Sequence, residues 1–395
     1  MAVAKINKDM MYWARKYAGY VNGYENELPK DIREKYESWE SGEKFPTWIQ
    51  LRNVSKKYKV PTAFFFMRNP PEYNAIPTLV NYRKLDMESI YENNSPFLID
   101  NIHTSENRRR IFIELSEDMG EYIPSFERFE GEINKYNLAS FIREKLEVSL
   151  DTQKSWLKKD NRKDKKHYNF LNNWKEVLTE KMGVLIFETY DVDIKEMRGL
   201  CIYHDKVPII LLNGKDSVNG RIFSLFHELT HLLLGESAIC GDDLDREIEV
   251  FCNAVSGEFL VPGKDLTKNL YDVPFDELLN DLSNLYGVSE HVISRRLLDL
   301  HKITKKDYDL KTADYDEFIP SSNNSKGNSG NYYRNMIKYN GRPFYSIILS
   351  AYESGMINGS DFSKFSGLKI NQVPIIEEML YGGEQWENSS LIHHH

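Results

Sequence analysis

The sequence predicts an α+β protein that is predominantly helical, with one small sheet near the middle of the chain. Apolar residues recur at helical spacing along most of the 395 residues, a pattern typical of amphipathic helices. Three short apolar runs between 183 and 213 instead predict strands. Directly after them, the apolar stretch 222–235 contains the HExxH motif 227–231, which predicts a helix carrying two histidines on one face.

Length and composition limit the class of protein. A chain of 395 residues with 41% apolar residues indicates two to four domains with sizeable cores. We expect no membrane span, because no run of about 18 apolar residues is present. Three cysteines (Cys201, Cys240 and Cys252) do not make a disulfide framework, and the first residues lack a secretory signal. A cytoplasmic protein is therefore expected; residues 393–395, which look like an affinity-tag remnant, are left out of the metal argument.

Residues 1–70 are predicted to form a bundle of short helices. The phrase Trp39-Glu-Ser-Gly-Glu-Lys-Phe-Pro46 is similar to one found in helix-turn-helix domains of the phage-repressor (XRE) type. That resemblance implies a DNA-reading helix over 30–37, with Lys30, Arg33 and Lys35 as the candidate DNA contacts. This stretch holds as many acids as bases, so a domain that docks a protein partner is the alternative to DNA binding.

Residues 71–104 begin at the second proline of the Pro70-Pro71 pair and are predicted to be a mostly extended linker. Long helices are expected from residue 105 onward. The basic run Lys154–His167 within them is interpreted as a solvated helix face, with a nucleic-acid patch as the alternative.

The three predicted strands cover 183–187, 199–203 and 207–213. A proline inside the last of them indicates an edge strand. An exposed edge beside the HExxH helix can hold an extended peptide by strand addition, with Pro208, Ile210 and Asn213 as the candidate substrate-binding residues. His204, in the preceding turn, is interpreted as solvent-exposed, or else as a further polar group near a metal.

The motif Phe226-His227-Glu228-Leu229-Thr230-His231 suits a metal centre. Residues four apart lie on one helix face, so His227 and His231 can bind one Zn²⁺ ion. Glu228 is then placed to take a proton from a metal-bound water. The alternative is a buried helix whose two histidines bond to backbone.

A third ligand is expected on the helix that ends before Pro262. Glu249 is the candidate, and Asn253, one turn later, is the expected hydrogen-bond partner of a ligating histidine. Glu247 and Glu258 are competitors for the ligand role, with a solvated helix face as their simpler interpretation.

The combination of HExxH with Glu249-x-x-x-Asn253 and Glu258-Phe-Leu-Val-Pro262 resembles the ImmA/IrrE family of metallopeptidases. The resemblance implies a zincin-like domain over 105–310, in which Zn²⁺ is the cofactor and the helices after 263 are a support. A second DNA reader near Ser289 is the alternative for those helices. It also implies an endopeptidase that cleaves a regulatory protein, such as a transcriptional repressor or a toxin-like partner.

A Ser/Asn/Gly-rich flexible linker is expected over 311–333, followed by a helical C-terminal part over 334–392. The apolar run at 344–349 fits a strand or a helix start equally well. The alternative function for the whole chain is a DNA-binding transcriptional regulator or antitoxin-like protein whose metal site is not proteolytic. Chelator-sensitive cleavage would distinguish the first function from the second.

Overall fold

The computed structural model describes residues 2–71, 94–158, 163–235, 246–316 and 332–381. These residues form helices and one three-stranded sheet, which confirms the predicted α+β class with a large excess of helix. The chain divides into an N-terminal unit, residues 1–107 with 191–196, and a larger unit, residues 108–190 with 197–395.

The N-terminal unit contains short helices. They are α1 (Lys8–Tyr17), α2 (Lys30–Arg33), α3 (Tyr36–Glu40), α4 (Trp48–Tyr58) and the first part of α5 (Pro96–Asp118). Met10 and Ala14 of α1 share the core with Leu51 and Val54 of α4, all without exposed surface. The first helix is fixed by its cap, since the Asn7 side chain accepts a hydrogen bond from the Asp9 amide.

The predicted single reading helix over 30–37 is wrong. The chain turns between α2 and α3, so the two helices hold four and five residues. Lys30 pairs with Glu34 at 3.7 Å, and Arg33 donates to the Asn26 carbonyl at 2.8 Å. Lys35 lies in the turn, half-buried. A helix of four residues is about one turn long and presents few side chains to a major groove.

The predicted extended linker over 71–104 is wrong at its C-terminal end. Pro96 begins α5, a helix of 23 residues, and Leu98, Ile99 and Ile102 of that helix are buried. Residues 72–93 lie outside the described part of the chain.

The larger unit carries the sheet and the remaining helices. Before and within the sheet come α6 (Lys135–Leu146), α7 (Leu150–Trp156), α8 (Lys163–Met182), β1 (Leu185–Thr189), β2 (Gly199–Ile202) and β3 (Ile209–Asn213). After it come α9 (Val218–Leu233), α10 (Arg246–Leu260), α11 (Gly263–Lys268), α12 (Phe275–Tyr286), α13 (Glu290–Asp299) and α14 (Lys305–Asp316). The last helices are α15 (Tyr332–Asn340), α16 (Arg342–Glu353), α17 (Gly359–Ser366) and α18 (Val373–Tyr381).

The strand order is β1-β3-β2, with β3 parallel to β1 and antiparallel to β2. The prediction that 207–213 is an edge strand is therefore wrong, because β3 is hydrogen-bonded on both sides. Pro208 precedes the first residue of β3, where the missing N–H removes no bond from the ladder. Its carbonyl accepts from the Leu185 amide at 2.9 Å.

Trp174 of α8 is at the centre of the aromatic packing that places α9 and α10. It is fully buried, with its ring edge-on to Phe226 of α9 at 5.0 Å between centroids and to Phe259 of α10 at 5.4 Å. Edge-to-face pairs add about 0.5–1.5 kcal/mol each beyond area burial. One side chain of α8 thus holds both helices that carry the predicted metal ligands.

The helices after residue 263 pack behind α10. Arg296 of α13 is buried, forms an ion pair with Glu258 of α10 and donates from Nε to the Val261 carbonyl at 3.1 Å. Ser289 caps α13 by accepting from the Val292 amide. Lys154, in the basic run, pairs with Asp265 at 2.5 Å and is mostly buried, so this lysine is not part of a solvated face.

The C-terminal part is helical where it is described. Residues 344–349 belong to α16, which settles the choice between strand and helix for this run. Phe344 packs edge-on to Phe187 of β1 at 6.3 Å. Within the described ranges every helix is too short or too polar to cross a bilayer. Cys201 and Cys252 are buried and are not in a disulfide.

Candidate metal centre

Helix α9 is well determined by its sequence. The Ser217 side chain caps it by accepting from the Gly220 amide at 3.0 Å. Ile222, Leu225 and Leu229 recur at helical spacing and have no exposed surface. The helix is followed by Gly235 at φ +78°, the left-handed conformation that often ends a helix.

Three side chains converge where α9 faces α10. His227 and His231 lie one turn apart, with 3.2 Å between their Nε2 atoms. Glu249 of α10 brings Oε2 to 3.1 Å from His227 Nε2 and Oε1 to 3.1 Å from His231 Nε2. Both histidines are buried, whereas the Glu249 side chain is 28% exposed. The cluster is therefore open on its glutamate side.

These residues fit a metal ion in both chemistry and spacing. In a tetrahedral site with bonds of 2.0–2.1 Å, ligand atoms lie ~3.3 Å apart. The observed separations of 3.1 to 3.2 Å among the two Nε2 atoms and the Glu249 oxygens match that value. Two imidazoles and one carboxylate from a buried helix pair are a donor set typical of catalytic zinc sites.

Asn253, one turn after Glu249, orients the first imidazole. Its Oδ1 lies 2.9 Å from His227 Nδ1. An amide oxygen can only accept, so Nδ1 carries the proton and Nε2 presents its lone pair to the cluster. A partner on the second ring nitrogen fixes both the tautomer and the ring angle of a ligating histidine.

Hydrogen bonds between the histidines and Glu249 shift the pKa values of His227 and Glu249. Burial of His227 disfavours its charged form, but the hydrogen bond to Glu249 and the charge of Glu228 outweigh burial and raise the pKa of His227. The hydrogen bonds from His227 and His231 hold the pKa of Glu249 far below its usual range. A metal ion competes with protons for the histidine nitrogens. Metal affinity should therefore fall as the pH is lowered through the pKa of His227.

Glu228 lies beside the cluster but does not belong to it. Its side chain is 1% exposed and faces the first residue of β2. A Cβ at Gly199 would lie 2.6 Å from Glu228 Oε1 and 3.0 Å from its Cγ, so only glycine leaves room for the carboxylate there. The first residue of β2 and the carboxylate predicted as the base are therefore neighbours.

Replacing Asn253 by alanine is expected to weaken metal binding by about 10- to 100-fold, because His227 loses the acceptor that fixes its tautomer. Asn253→Asp keeps an acceptor at the same place and should stay within a few-fold of the unchanged protein. Competition with a chromophoric chelator measures both affinities. Equal affinity in all three proteins would show that Asn253 does not orient the ligand.

The two competing carboxylates are not in the cluster. Glu247 is exposed on α10, and Glu258 is bound to Arg296 and to the Gly263 amide. Among described residues, His227, His231 and Glu249 are the group whose ligand atoms converge, all within 4.8 Å of one another. The prediction that His204 is exposed is wrong, since it is 7% exposed.

The candidate substrate residues of the third strand do not form a binding surface. Ile210 has no exposed surface and belongs to the main core. The Asn213 amide is buried and donates to the Met197 carbonyl at 2.7 Å. Pro208 leads into the central strand. The sequence reasoning missed that β2 lies next to the HExxH carboxylate. The available signal in the sequence was Gly199, a glycine at the start of this strand.

Residues 179–298 match the family model Peptidase_M78, described as the IrrE N-terminal-like domain. The matched segment contains β1 to β3, α9, α10 and all three residues of the cluster. No curated protein matches the chain. The match supports the resemblance to ImmA/IrrE metallopeptidases for this segment and identifies a peptidase domain.

Proposed function

From this peptidase domain and its His-His-Glu cluster, we propose that the protein is a zinc-dependent endopeptidase acting on a regulatory protein. The observation that carries the proposal is the convergence of His227, His231 and Glu249 at the spacing of a tetrahedral ligand set, with Glu228 beside it. A chance meeting of two buried histidines would not also supply a carboxylate on the open side.

Each residue has a task in peptide hydrolysis. His227, His231 and Glu249 would hold the ion, which when bound would supply a Lewis acid for the scissile carbonyl and would make a water molecule more acidic. Glu228 accepts a proton from the attacking water as the new C–O bond forms. It then gives that proton to the amine nitrogen as the C–N bond breaks. Asn253 keeps His227 in the tautomer this arrangement needs.

The substrate path follows β2 rather than β3. Within the described residues the strand that pairs with β2 is β3, on one side, so a further strand would add on the other side of β2. An extended polypeptide that adds to this edge would pass Gly199 and so bring a peptide bond next to Glu228. Backbone pairing of this kind selects for an extended chain, which favours an unfolded segment or a linker of the target.

The target class rests on the ImmA/IrrE resemblance, which points to a transcriptional repressor or a toxin-like partner. The N-terminal unit would dock this partner, because its reading helix is divided and Lys30 and Arg33 already have partners within the chain. Weak DNA binding by residues 1–70 is the alternative use. Two buried cysteines outside any disulfide, Cys201 and Cys252, suit a reducing cytoplasm as the place of action.

Incubating the full chain with a proteome-derived peptide library should generate new amino termini, counted by mass spectrometry. Removal of the metal with a chelator should abolish them, and added Zn²⁺ should restore them. A protein that holds the metal tightly and yields no new termini, yet shifts an operator fragment on a gel, would instead support the alternative of a DNA-binding regulator.

A further inference from the structure

A cavity of about 790 Å³ lies between α8, β1 and the C-terminal helices α15, α16 and α18. Small-molecule sites typically enclose 300–1,000 Å³. Leu185 and Ile186 of β1 line the cavity, whereas Gly199 of β2 lies against Glu228. Because β3 separates β1 from β2, the cavity and the metal centre belong to different edges of the sheet.

Cationic side chains outnumber carboxylates in the cavity wall. The charged lining residues are Lys175, Arg334, Lys338, Arg342, Glu176 and Glu378. Arg342 and Glu176 approach each other at 3.5 Å and partly neutralise one another. The Lys338 ammonium lies 4.3 Å from the centroid of the Tyr168 ring. The wall therefore has a cationic excess.

The charges behind the wall do not cancel this excess. Glu188 is fully buried and is shared by two cations, Lys175 at 2.5 Å and Arg221 at 2.6 Å. The same positive charges act on Tyr168. Burial opposes ionisation of its hydroxyl, but Lys338 and Arg221 outweigh burial and lower the pKa of Tyr168. An anion in the cavity would meet more positive than negative charge at short range.

The rest of the lining is apolar or neutral. Ile337, Pro343, Ile375 and Met379 are partly exposed and offer an aliphatic surface, and Asn172 offers an amide. An inorganic ion alone would leave this apolar surface uncovered. A ligand with an acidic group and a ring-sized apolar body would satisfy both kinds of wall.

We propose that this cavity is a binding site for a small organic anion, with its phosphate or carboxylate group on the Lys338 side and its apolar body against Ile337 and Met379. The site is one ion pair away from the metal-binding helix, since Glu188 bonds both the cavity lysine Lys175 and Arg221 of α9. Arg221 precedes His227 by six residues on that helix. A ligand charge near Lys175 would therefore alter the ion pairs of Glu188, and through Arg221 it would act on α9, the helix that carries the HExxH motif.

Isothermal titration of the full chain with phenyl phosphate, benzoate and phenol tests the proposal. The first two probes distinguish the phosphate group from the carboxylate, and phenol is the uncharged counterpart. We expect saturable binding of at least one anion and at least tenfold weaker binding of phenol. Lys338→Met should weaken binding of the anion by about tenfold or more, as expected for loss of a charged hydrogen-bond donor. Lys338→Arg should retain it.

Lys364→Met removes an exposed lysine of α17 outside the cavity and should bind like the unchanged protein. Thermal melts establish that each variant is folded. The proposal is overturned if neither anion binds, if phenol binds as well as both anions, or if Lys338→Met and Lys364→Met behave alike. The titration does not measure proteolysis, so a negative binding result leaves the peptidase proposal intact. A failure of the peptidase proposal would likewise leave the anion-binding proposal intact.

Discussion

Glu228→Gln is expected to lower the rate of peptide hydrolysis by about 10²- to 10⁴-fold, the usual contribution of a general acid–base group. Glutamine has the shape of glutamate and fits the space against Gly199, but its amide cannot accept the proton of water. Glu228 is outside the group of converging ligand atoms. The variant should therefore still bind one metal ion per chain. Library cleavage and elemental analysis on the same preparation measure both properties.

Glu247→Gln makes the same chemical change at an exposed position of α10 and should leave hydrolysis unchanged. If Glu228→Gln cleaves the library at the rate of the unchanged protein, Glu228 is not the base. If it loses the metal as well as the activity, Glu228 supports the cluster instead of moving protons.

Glu249→Ala is expected to weaken metal binding by more than ~100-fold. This loss exceeds the 10- to 100-fold typical of an outer hydrogen-bond partner, because an oxygen ligand itself is removed. Two imidazoles remain, 3.2 Å apart at Nε2, and their geometry alone does not complete a three-ligand site. Hydrolysis should be lost in parallel at micromolar metal. Competition with a chelator of known affinity gives the change in binding free energy directly.

Glu247→Ala is the matched control, two residues earlier on the same helix and exposed. It should bind metal as the unchanged protein does. The assignment of Glu249 would have to be withdrawn if both variants kept full affinity. Loss of affinity in Glu247→Ala alone would move the third ligand to that residue.

The local periodicity of the sequence was sufficient to predict much of the candidate metal centre. The four-residue spacing of His227 and His231 on an apolar helix predicted their common face, whereas Glu249 was one of three candidate carboxylates until the structure placed it against both imidazoles. Asn253, predicted as the partner of a ligating histidine, lies one turn after Glu249 and 2.9 Å from His227 Nδ1. The geometry of a single helix was enough for the shared face of the histidines and for the one-turn spacing of Glu249 and Asn253.

Strand order was not accessible in this way. A proline at the start of 207–213 suggested an edge, yet β3 is central because Pro208 lies just outside the ladder. Which strands pair depends on contacts far apart in sequence, and three apolar runs of similar length are compatible with several orders. The reading helix over 30–37 failed for a related reason: the buried core of the N-terminal unit turns the chain after Arg33.

By itself the sequence determined the helical character of the chain and the HExxH helix, because these depend on interactions within about one turn of helix. Only the tertiary structure brought Glu249 of α10, rather than Glu247 or Glu258, to the two histidines, and placed the start of β2 beside Glu228. It also decided that a cationic cavity lies behind β1 and that Glu188 connects the cavity to α9. Those features bring together residues far apart in the sequence, such as Glu176 and Arg342, which are 166 positions apart. Their meeting is fixed by packing of the whole unit rather than by any local pattern.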